Sequence, residues 1–287
     1  FADIDHRRGE RGSTPPFTVG TEGVGIVEKH GEGVSEPKIG ARVVWWNPGT
    51  PGAYAEYAVI PAIRAVSVPE MIPSPIAAAL MLQGITAHAL IERIAPPESG
   101  ASCLILSAAG GVGHLATQLA RSRDARVFGT TSTREKASFV SALGAEEVIV
   151  YTEADFADAV LQLTDGKGVR IVYDGIGNDT ITRSIRAAGL LGRVVLYGYK
   201  SGGHNEGTSV DIDTRLLAAK AVFLTRGAGF HFVSNREELL TVTDDLFRRY
   251  TDGQLLPYIG GEFALEEAAQ AHRLMENGGS TGKLVIK

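Results

Sequence analysis

Between residues 102 and 197 short apolar runs alternate with segments patterned as helices, and this alternation limits the fold more tightly than any other feature of the chain. Residues 102–107, 126–130, 147–150, 169–174 and 192–197 read as strands, and 111–122, 134–143, 155–163 and 180–187 as the helices between them. Short apolar runs bounded by turn residues suit strands buried on both faces. Strands joined through single helices run parallel, and the crossover has one hand. The expectation is an α/β fold with a doubly wound parallel sheet of the Rossmann type.

The flanks differ. Residues 17–58 are rich in Gly, Val and turn signals, which predicts short strands over 24–29, 42–46 and 53–59. Residues 76–94 carry apolar side chains at helical spacing, interrupted near Gly84 and Thr86 and punctuated by Pro96 and Pro97. Beyond a polar loop at 201–209 come a strand over 221–225 and an amphipathic helix over 236–250. The tail from 255 returns to strand, helix (265–277) and strand.

Composition narrows the function. The 287 residues are 44% hydrophobic and 21% charged with a net charge of −5, ordinary for a globular protein that buries a sizeable core. A nucleic-acid or anionic-membrane partner favours a basic surface, and no Lys/Arg run is present. Apolar runs such as 76–82 and 103–109 fall short of a membrane span. The chain therefore reads as soluble and cytoplasmic, with no membrane insertion. Cys103 stands alone, which excludes an internal disulfide and any thiolate zinc cluster built from this chain.

The sharpest local motif is Ser107-Ala108-Ala109-Gly110-Gly111-Val112-Gly113-His114, between a strand and a helix. Glycines at such a turn let the backbone approach a pyrophosphate, and the helix start offers unpaired amides to the anion. An NAD site usually places an acid at the tip of the next strand to hold the ribose 2′-hydroxyl. Here the tip reads Thr130-Thr131-Ser132-Thr133-Arg134-Glu135-Lys136, with hydroxyls and cations suited to a 2′-phosphate, which favours NADPH. The alternative for Arg134 and Lys136 is a solvated first helical turn.

Several pieces in order resemble the quinone oxidoreductase branch of the medium-chain dehydrogenase/reductases, the zinc-free group that includes zeta-crystallin. They are Phe1-Ala2-Asp3-Ile4, Gly20-Thr21-Glu22-Gly23-Val24-Gly25, Gly52-Ala53-Tyr54-Ala55-Glu56-Tyr57, Gln83-Gly84-Ile85-Thr86-Ala87, the phosphate loop, Tyr173-Asp174-Gly175-Ile176-Gly177, and Ser280-Thr281-Gly282-Lys283. Together they span nearly the whole chain. The resemblance implies a GroES-like β-barrel catalytic domain drawn from both chain ends (1–85 and 251–287), with a dinucleotide-binding domain (86–250) inserted and the active site in the cleft between them. Family members carry several barrel strands before the position of Phe1, so those strands are expected to be missing from this sequence, as in a fragment or in a shortened protein. By position, Thr86 is expected near the nicotinamide carboxamide, Ala109, Gly110, Gly111, Val112 and Gly113 at the pyrophosphate, and Ser132, Arg134 and Lys136 at the 2′-phosphate. Tyr151 falls at the adenosine end, and Gly198, Tyr199, Thr225 and Arg226 edge the nicotinamide. Thr86 has a plainer alternative as a helix hydroxyl bonded to its own backbone. Asp5 stands where relatives often carry Tyr, an acid that would repel a nearby cofactor phosphate. Members commonly pair edge strands into homodimers, for which 221–225 is the candidate.

Zinc-dependent relatives ligate the metal through a Cys and the His of a Gly-His-Glu motif; Thr21 occupies that His position. No metal site is expected. Without a Lewis acid the acceptor must be electrophilic already, as a quinone or conjugated carbonyl is. The expected reaction is hydride transfer from NADPH to such an acceptor, with the proton supplied by water or a nearby hydroxyl, Tyr54 being the candidate donor or hydrogen-bonding group from the protein. The alternatives are an enoyl or 2-alkenal reductase, and a cofactor-binding structural or regulatory subunit with little turnover.

Overall fold

The computed structural model describes residues 1–12, 14–198 and 212–287, which form two compact units. The first comprises Phe1–Thr86 and Gly229–Lys287, the second Ala87–Ala228. The return to the first unit thus falls at Gly229, ahead of the boundary expected at 251.

In the first unit, helix α1 (Ala2–Arg7) precedes an antiparallel sheet of β1 (Glu22–Ile26), β2 (Arg42–Trp46) and β3 (Val66–Ser67). Val43, Val44 and Trp46 are buried along β2. The strand expected over 53–59 does not form. Its head folds back instead, the amides of Gly52 and Ala53 donating to the Gly20 carbonyl and that of Tyr54 to Val19. Among the described residues no strand pairs with 55–60, where Tyr57 and Val59 are exposed, so the β-like pattern finds no ladder to join.

A continuous helical stretch follows: α2 (Ser74–Ala79), a π-helical turn (Leu80–Gly84), α3 (Ile85–His88) and a second π-helical turn (Ala89–Ile94). By length and mean hydropathy, 1.4, this stretch could cross a membrane, which the separate apolar runs had not suggested. However, more than half of its most apolar 18-residue window is buried inside the protein, and Ala77, Ala79, Ile85 and Ile91 are core residues.

The second unit carries β4 (Ser102–Ile105), α4 (Gly113–Ser122), β5 (Arg126–Thr131), α5 (Arg134–Ala142), β6 (Glu147–Val150), α6 (Phe156–Leu163), β7 (Val169–Asp174), α7 (Ile181–Ala187), β8 (Ala188–Leu196), α8 (Arg215–Ala218) and β9 (Phe223–Arg226). Its strands form one parallel sheet in the order β6-β5-β4-β7-β8-β9. This is the expected doubly wound arrangement, and the chain reverses direction across the sheet between β4 and β7, the usual place for a ligand crevice. Leu104, Phe128, Val172 and Val194 pack with Phe156, Val160, Ile181 and Ile185 of α6 and α7 in one apolar core. The two sheet edges differ. Beside β6, Glu146 and Glu147 are exposed and Arg126 holds Glu146 in a two-pronged ion pair. At β9, Phe223 is exposed, as are Leu190 and Leu191 on neighbouring β8.

The first unit closes with α9 (Arg236–Thr251), β10 (Ile259–Phe263), α10 (Ala268–Glu276) and β11 (Lys283–Ile286), with β10 and β11 paired in parallel. Asn235 caps α9 by accepting from the Glu238 amide at 2.9 Å.

Candidate functional site

In the second unit the phosphate loop hangs from the end of β4. Ser107 takes a left-handed backbone conformation (φ 51°), its carbonyl accepts from the Gly110 amide at 2.9 Å, and the Ala108 amide donates to Thr130 on β5. At Gly113 a Cβ would lie 2.3 Å from the Ser107 carbonyl oxygen and 2.7 Å from the Ala108 Cα, so only glycine lets α4 begin this close to the strand end. Ala109 is buried as a packing residue, whereas Gly110, Gly111 and Val112 retain surface at the helix start. That leaves backbone amides and a positive dipole end for an anion.

His114 completes the turn and went unassigned at the level of sequence. It is fully buried, and its Nδ1 lies 2.9 Å from the Gly110 carbonyl, which also accepts from the His114 amide. Burial pushes its pKa down to about 4, so the ring is neutral and Nδ1–H donates. A neutral ring adds no charge where the helix start awaits an anion.

At the tip of β5, Thr133 caps α5, its hydroxyl oxygen accepting from the Lys136 amide. Ser132 and Lys136 are partly buried. Arg134 is exposed and grips Glu153 through Nε (2.9 Å) and Nη2 (2.7 Å). The protein itself thus supplies an anion for Arg134, although so exposed a pair is worth only about 0–1 kcal/mol and yields readily to a stronger anion. Tyr151 borders a cavity of about 310 Å³ together with Leu106, Thr130, Phe156, Ile176 and Thr180. The cavity opens at the C-terminal strand ends, by the reversal in strand order.

The other lip of that crevice is shaped by Asp174, a second residue to which the sequence reading gave no role. Fully buried at the end of β7, it accepts from the amides of Ile176 (2.9 Å) and Gly177 (3.1 Å) and the hydroxyls of Thr180 (2.8 Å) and Ser184 (2.7 Å). The discoverable signal was an acid at a strand end followed by hydroxyls six and ten residues on. Gly198 meets this loop backbone to backbone, since a Cβ there would fall 1.8 Å from the Gly175 carbonyl oxygen. Thr225 and Arg226 are exposed at the end of β9, in register with Val195 and Leu196. Tyr199 lies outside the described residues.

The first unit holds the remaining candidates. Tyr54 is partly buried, with its hydroxyl 3.1 Å from His272 Nε2 and 3.4 Å from Asp3 Oδ2. Asp3 also accepts from the amide and hydroxyl of Thr21, and Arg7 donates to His272 Nδ1 at 3.2 Å. With Nδ1 accepting, His272 Nε2–H donates to Tyr54, whose own hydrogen goes to Asp3. Burial, reinforced by Asp3, pushes the phenol pKa well above its ordinary value. Asp5, the suspect acid, is buried and paired with Arg11 at 3.2 Å. Thr86 donates its hydroxyl to the Leu82 carbonyl at 2.7 Å, the plainer of its two readings, with its oxygen still able to accept. Cys103 is sealed in β4, its thiol pushed up to about 12 by burial. Among the described residues no three His, Cys, Asp or Glu side chains gather as metal ligands would.

Comparison with known proteins agrees with both units. Residues 1–70 match the alcohol dehydrogenase GroES-like domain, and residues 111–244 match the model described as zinc-binding dehydrogenase. A 2-haloacrylate reductase from a Burkholderia species is 36% identical over the whole chain and 86% of its own length. A Pseudomonas aeruginosa quinone oxidoreductase is 35% identical over 94% of the chain and 82% of its own length. The chain belongs to the quinone oxidoreductase family of the medium-chain dehydrogenase/reductases. Like its relatives in that family it is an oxidoreductase. Among solved family members, the Escherichia coli quinone oxidoreductase, complexed with NADPH, superposes with a TM-score of 0.90 at 32% identity, covering 99% of this chain and 87% of that one.

Proposed function

We propose that this oxidoreductase transfers hydride from NADPH to a quinone or similar conjugated carbonyl. The observation that carries the reading is the paired geometry at the ends of β4 and β5: the amides of Gly111 and Val112 at a helix start, and a next strand tip that offers hydroxyls, Lys136 and Arg134 where an NAD site offers an acid. The residues fit a dinucleotide phosphate. Gly113 sets the close strand-to-helix approach, and the cavity beside Tyr151 is of a size to take a ring system at the adenosine end.

NADPH, when bound, supplies the hydride. The amides of Gly111 and Val112 would hold the pyrophosphate while that of Gly110 stays on the Ser107 carbonyl, and Ser132 and Lys136 would hold the 2′-phosphate, with Arg134 released from Glu153 to join them. The family resemblance puts Thr86 at the carboxamide of the nicotinamide, accepting through the oxygen whose hydrogen is committed to Leu82. Tyr54 keeps its proton within the Asp3–His272 network, so its role becomes one of positioning, and water supplies the proton that follows the hydride. The rate enhancement comes from orientation.

Reduction of an activated C=C bond is the second reading, favoured by the 36% identity to a 2-haloacrylate reductase. We further propose a homodimer through β9, whose apolar edge needs covering; Phe223→Arg is expected to give monomers in sedimentation. The activity is tested by following NADPH oxidation with 1,4-benzoquinone, 9,10-phenanthrenequinone and 2-chloroacrylate beside NADPH and NADH binding titrations. Turnover with the quinones and preference for NADPH is the expected result. Binding without turnover on any acceptor refutes the enzymatic reading, and preference for NADH refutes the 2′-phosphate assignment.

A further inference from the structure

One buried ion pair has no part in the reading above. Lys283, at the start of β11, bonds Glu22 at the start of β1; their side chains are 11% and 10% exposed. Removing two charges from water is costly, and a buried pair is often no more stabilising than apolar residues of the same volume. Packing alone is therefore a weak reason for it. The second Glu22 carboxylate oxygen has a further partner, accepting from the Leu82 amide at 2.9 Å.

Leu82 lies inside the π-helical turn Leu80–Gly84, and a side chain that inserts at a helix-interior amide is one recognised cause of such irregularity. The same residue is held from its other end, because its carbonyl accepts the Thr86 hydroxyl at 2.7 Å. Gly229 lies close beside Thr86, since a Cβ there would come within 3.1 Å of both the Thr86 Cα and hydroxyl oxygen. Lys283, Glu22, the Leu82 residue and Thr86 thus form one unbroken line of polar contacts within the first unit.

We propose that Glu22, fixed by Lys283, is a positioning residue for hydride transfer that acts through Leu82 on the hydroxyl of Thr86. Its carboxylate sets the height and tilt of the π-helical turn. The Leu82 carbonyl then takes up the hydrogen of Thr86, leaving the oxygen turned outward as an acceptor for an amide N–H. This rests on the assignment of Thr86 to the nicotinamide carboxamide. Because Glu22 itself touches no cofactor, the effect falls on the orientation of one end of NADPH and spares the phosphate contacts.

The test is a double-variant cycle with 9,10-phenanthrenequinone as acceptor and NADPH deuterated at the transferred position. Thr86→Val is expected to lower kcat by roughly 10- to 100-fold, the scale of a small misalignment. Glu22→Gln is expected to lower kcat by roughly 10-fold, to change the NADPH dissociation constant by less than about 3-fold, and to raise the isotope effect as hydride transfer becomes limiting. The double variant is expected to be no slower than Thr86→Val alone. If Thr86→Val leaves kcat and the isotope effect at wild-type values, the nicotinamide assignment fails and the proposal with it. If Thr86→Val is slow but Glu22→Gln is not, or the two losses multiply, the assignment stands and the relay is overturned. Should Glu22→Gln fold poorly by circular dichroism, Glu22→Asp replaces it, retaining charge for Lys283 while withdrawing the carboxylate from Leu82. The same loss of kcat at similar cofactor affinity is then expected, and wild-type kcat overturns the relay.

Discussion

Replacing Gly113 by Ala tests the cofactor cradle most directly. The added Cβ would stand 2.3 Å from the Ser107 carbonyl oxygen, about 1.1 Å inside ordinary contact, and 3.0 Å or less from two backbone atoms of Ala108. No side chain can swing aside, so the strand end and the helix start must separate by about 1 Å. Overpacking of this kind costs about 1–3 kcal/mol. It also drags the amides of Gly111 and Val112 off their line to the pyrophosphate. Because charge-assisted bonds contribute about 1.5–3 kcal/mol each, loss of one predicts roughly 10- to 100-fold weaker NADPH binding. Gly110→Ala is the internal control. Its Cβ would meet only the Ser107 oxygen, at 3.2 Å, so a shift of a few tenths of an ångström suffices. Fluorescence titration with NADPH and thermal melts of both variants read the two effects together. If Gly113→Ala binds NADPH and melts as the wild type does, or if Gly110→Ala is the more damaging, the account of the loop is wrong.

Lys136→Ala is expected to raise the NADPH dissociation constant roughly 10-fold while leaving NADH nearly unaffected, with Arg134→Ala weaker because that guanidinium must first leave Glu153; isothermal titration with both cofactors measures this. Asp174→Ala strips the acceptor from two amides and two buried hydroxyls and should cost about 3 kcal/mol or more in urea unfolding, along with the order of the loop after β7. His114 contributes a pH dependence of definite sign. With its folded pKa lowered to about 4 against an unfolded value of 6.5, the unfolded chain binds the extra proton first, so stability is complete above about pH 6.5 and is lost as the pH falls toward 4, by up to about 3 kcal/mol. A His114→Asn variant, which keeps a donor for Gly110, should show a flatter fall in melting temperature between pH 7 and 5, and an unchanged slope would refute the assignment.

The parallel sheet was legible because its signal is local and repeated: each strand is an apolar run closed by turn residues, and each helix carries its own period. The boundaries of β6 and β7 match the sequence pattern to the residue, and α9 runs one residue past its expected end. What escaped depends on partners distant in the chain. Whether residues 53–59 become a strand is decided by a neighbouring ladder, and their own alternation carries no information about one. The pattern break near Gly84 and Thr86 was visible, but the carboxylate that meets the π-helical turn at the Leu82 amide belongs to Glu22, sixty residues away. In the loop after β4, the glycines announce themselves because a tight strand-to-helix turn requires them, as the close approach at Gly113 shows. Asp174 and His114 do not, since an acid at a strand end and a histidine on a helix acquire meaning only from what surrounds them. Arg134 shows the opposite limit: composition marked it as a cation awaiting an anion, and Glu153, remote in sequence, had already answered.

The unlike edges of the six-stranded sheet bear on how far association can proceed. A sheet sticky on both flanks adds neighbours without end and becomes a filament. Here β6 starts at the exposed Glu147 beside Glu146, which Arg126 of β5 holds, while β9 starts at Phe223, with Leu190 and Leu191 exposed on β8. In the homodimer proposed above, two copies joined at β9 through a two-fold axis would present the charged flanks outward. On the proposed pairing through β9, assembly would therefore stop at the second molecule.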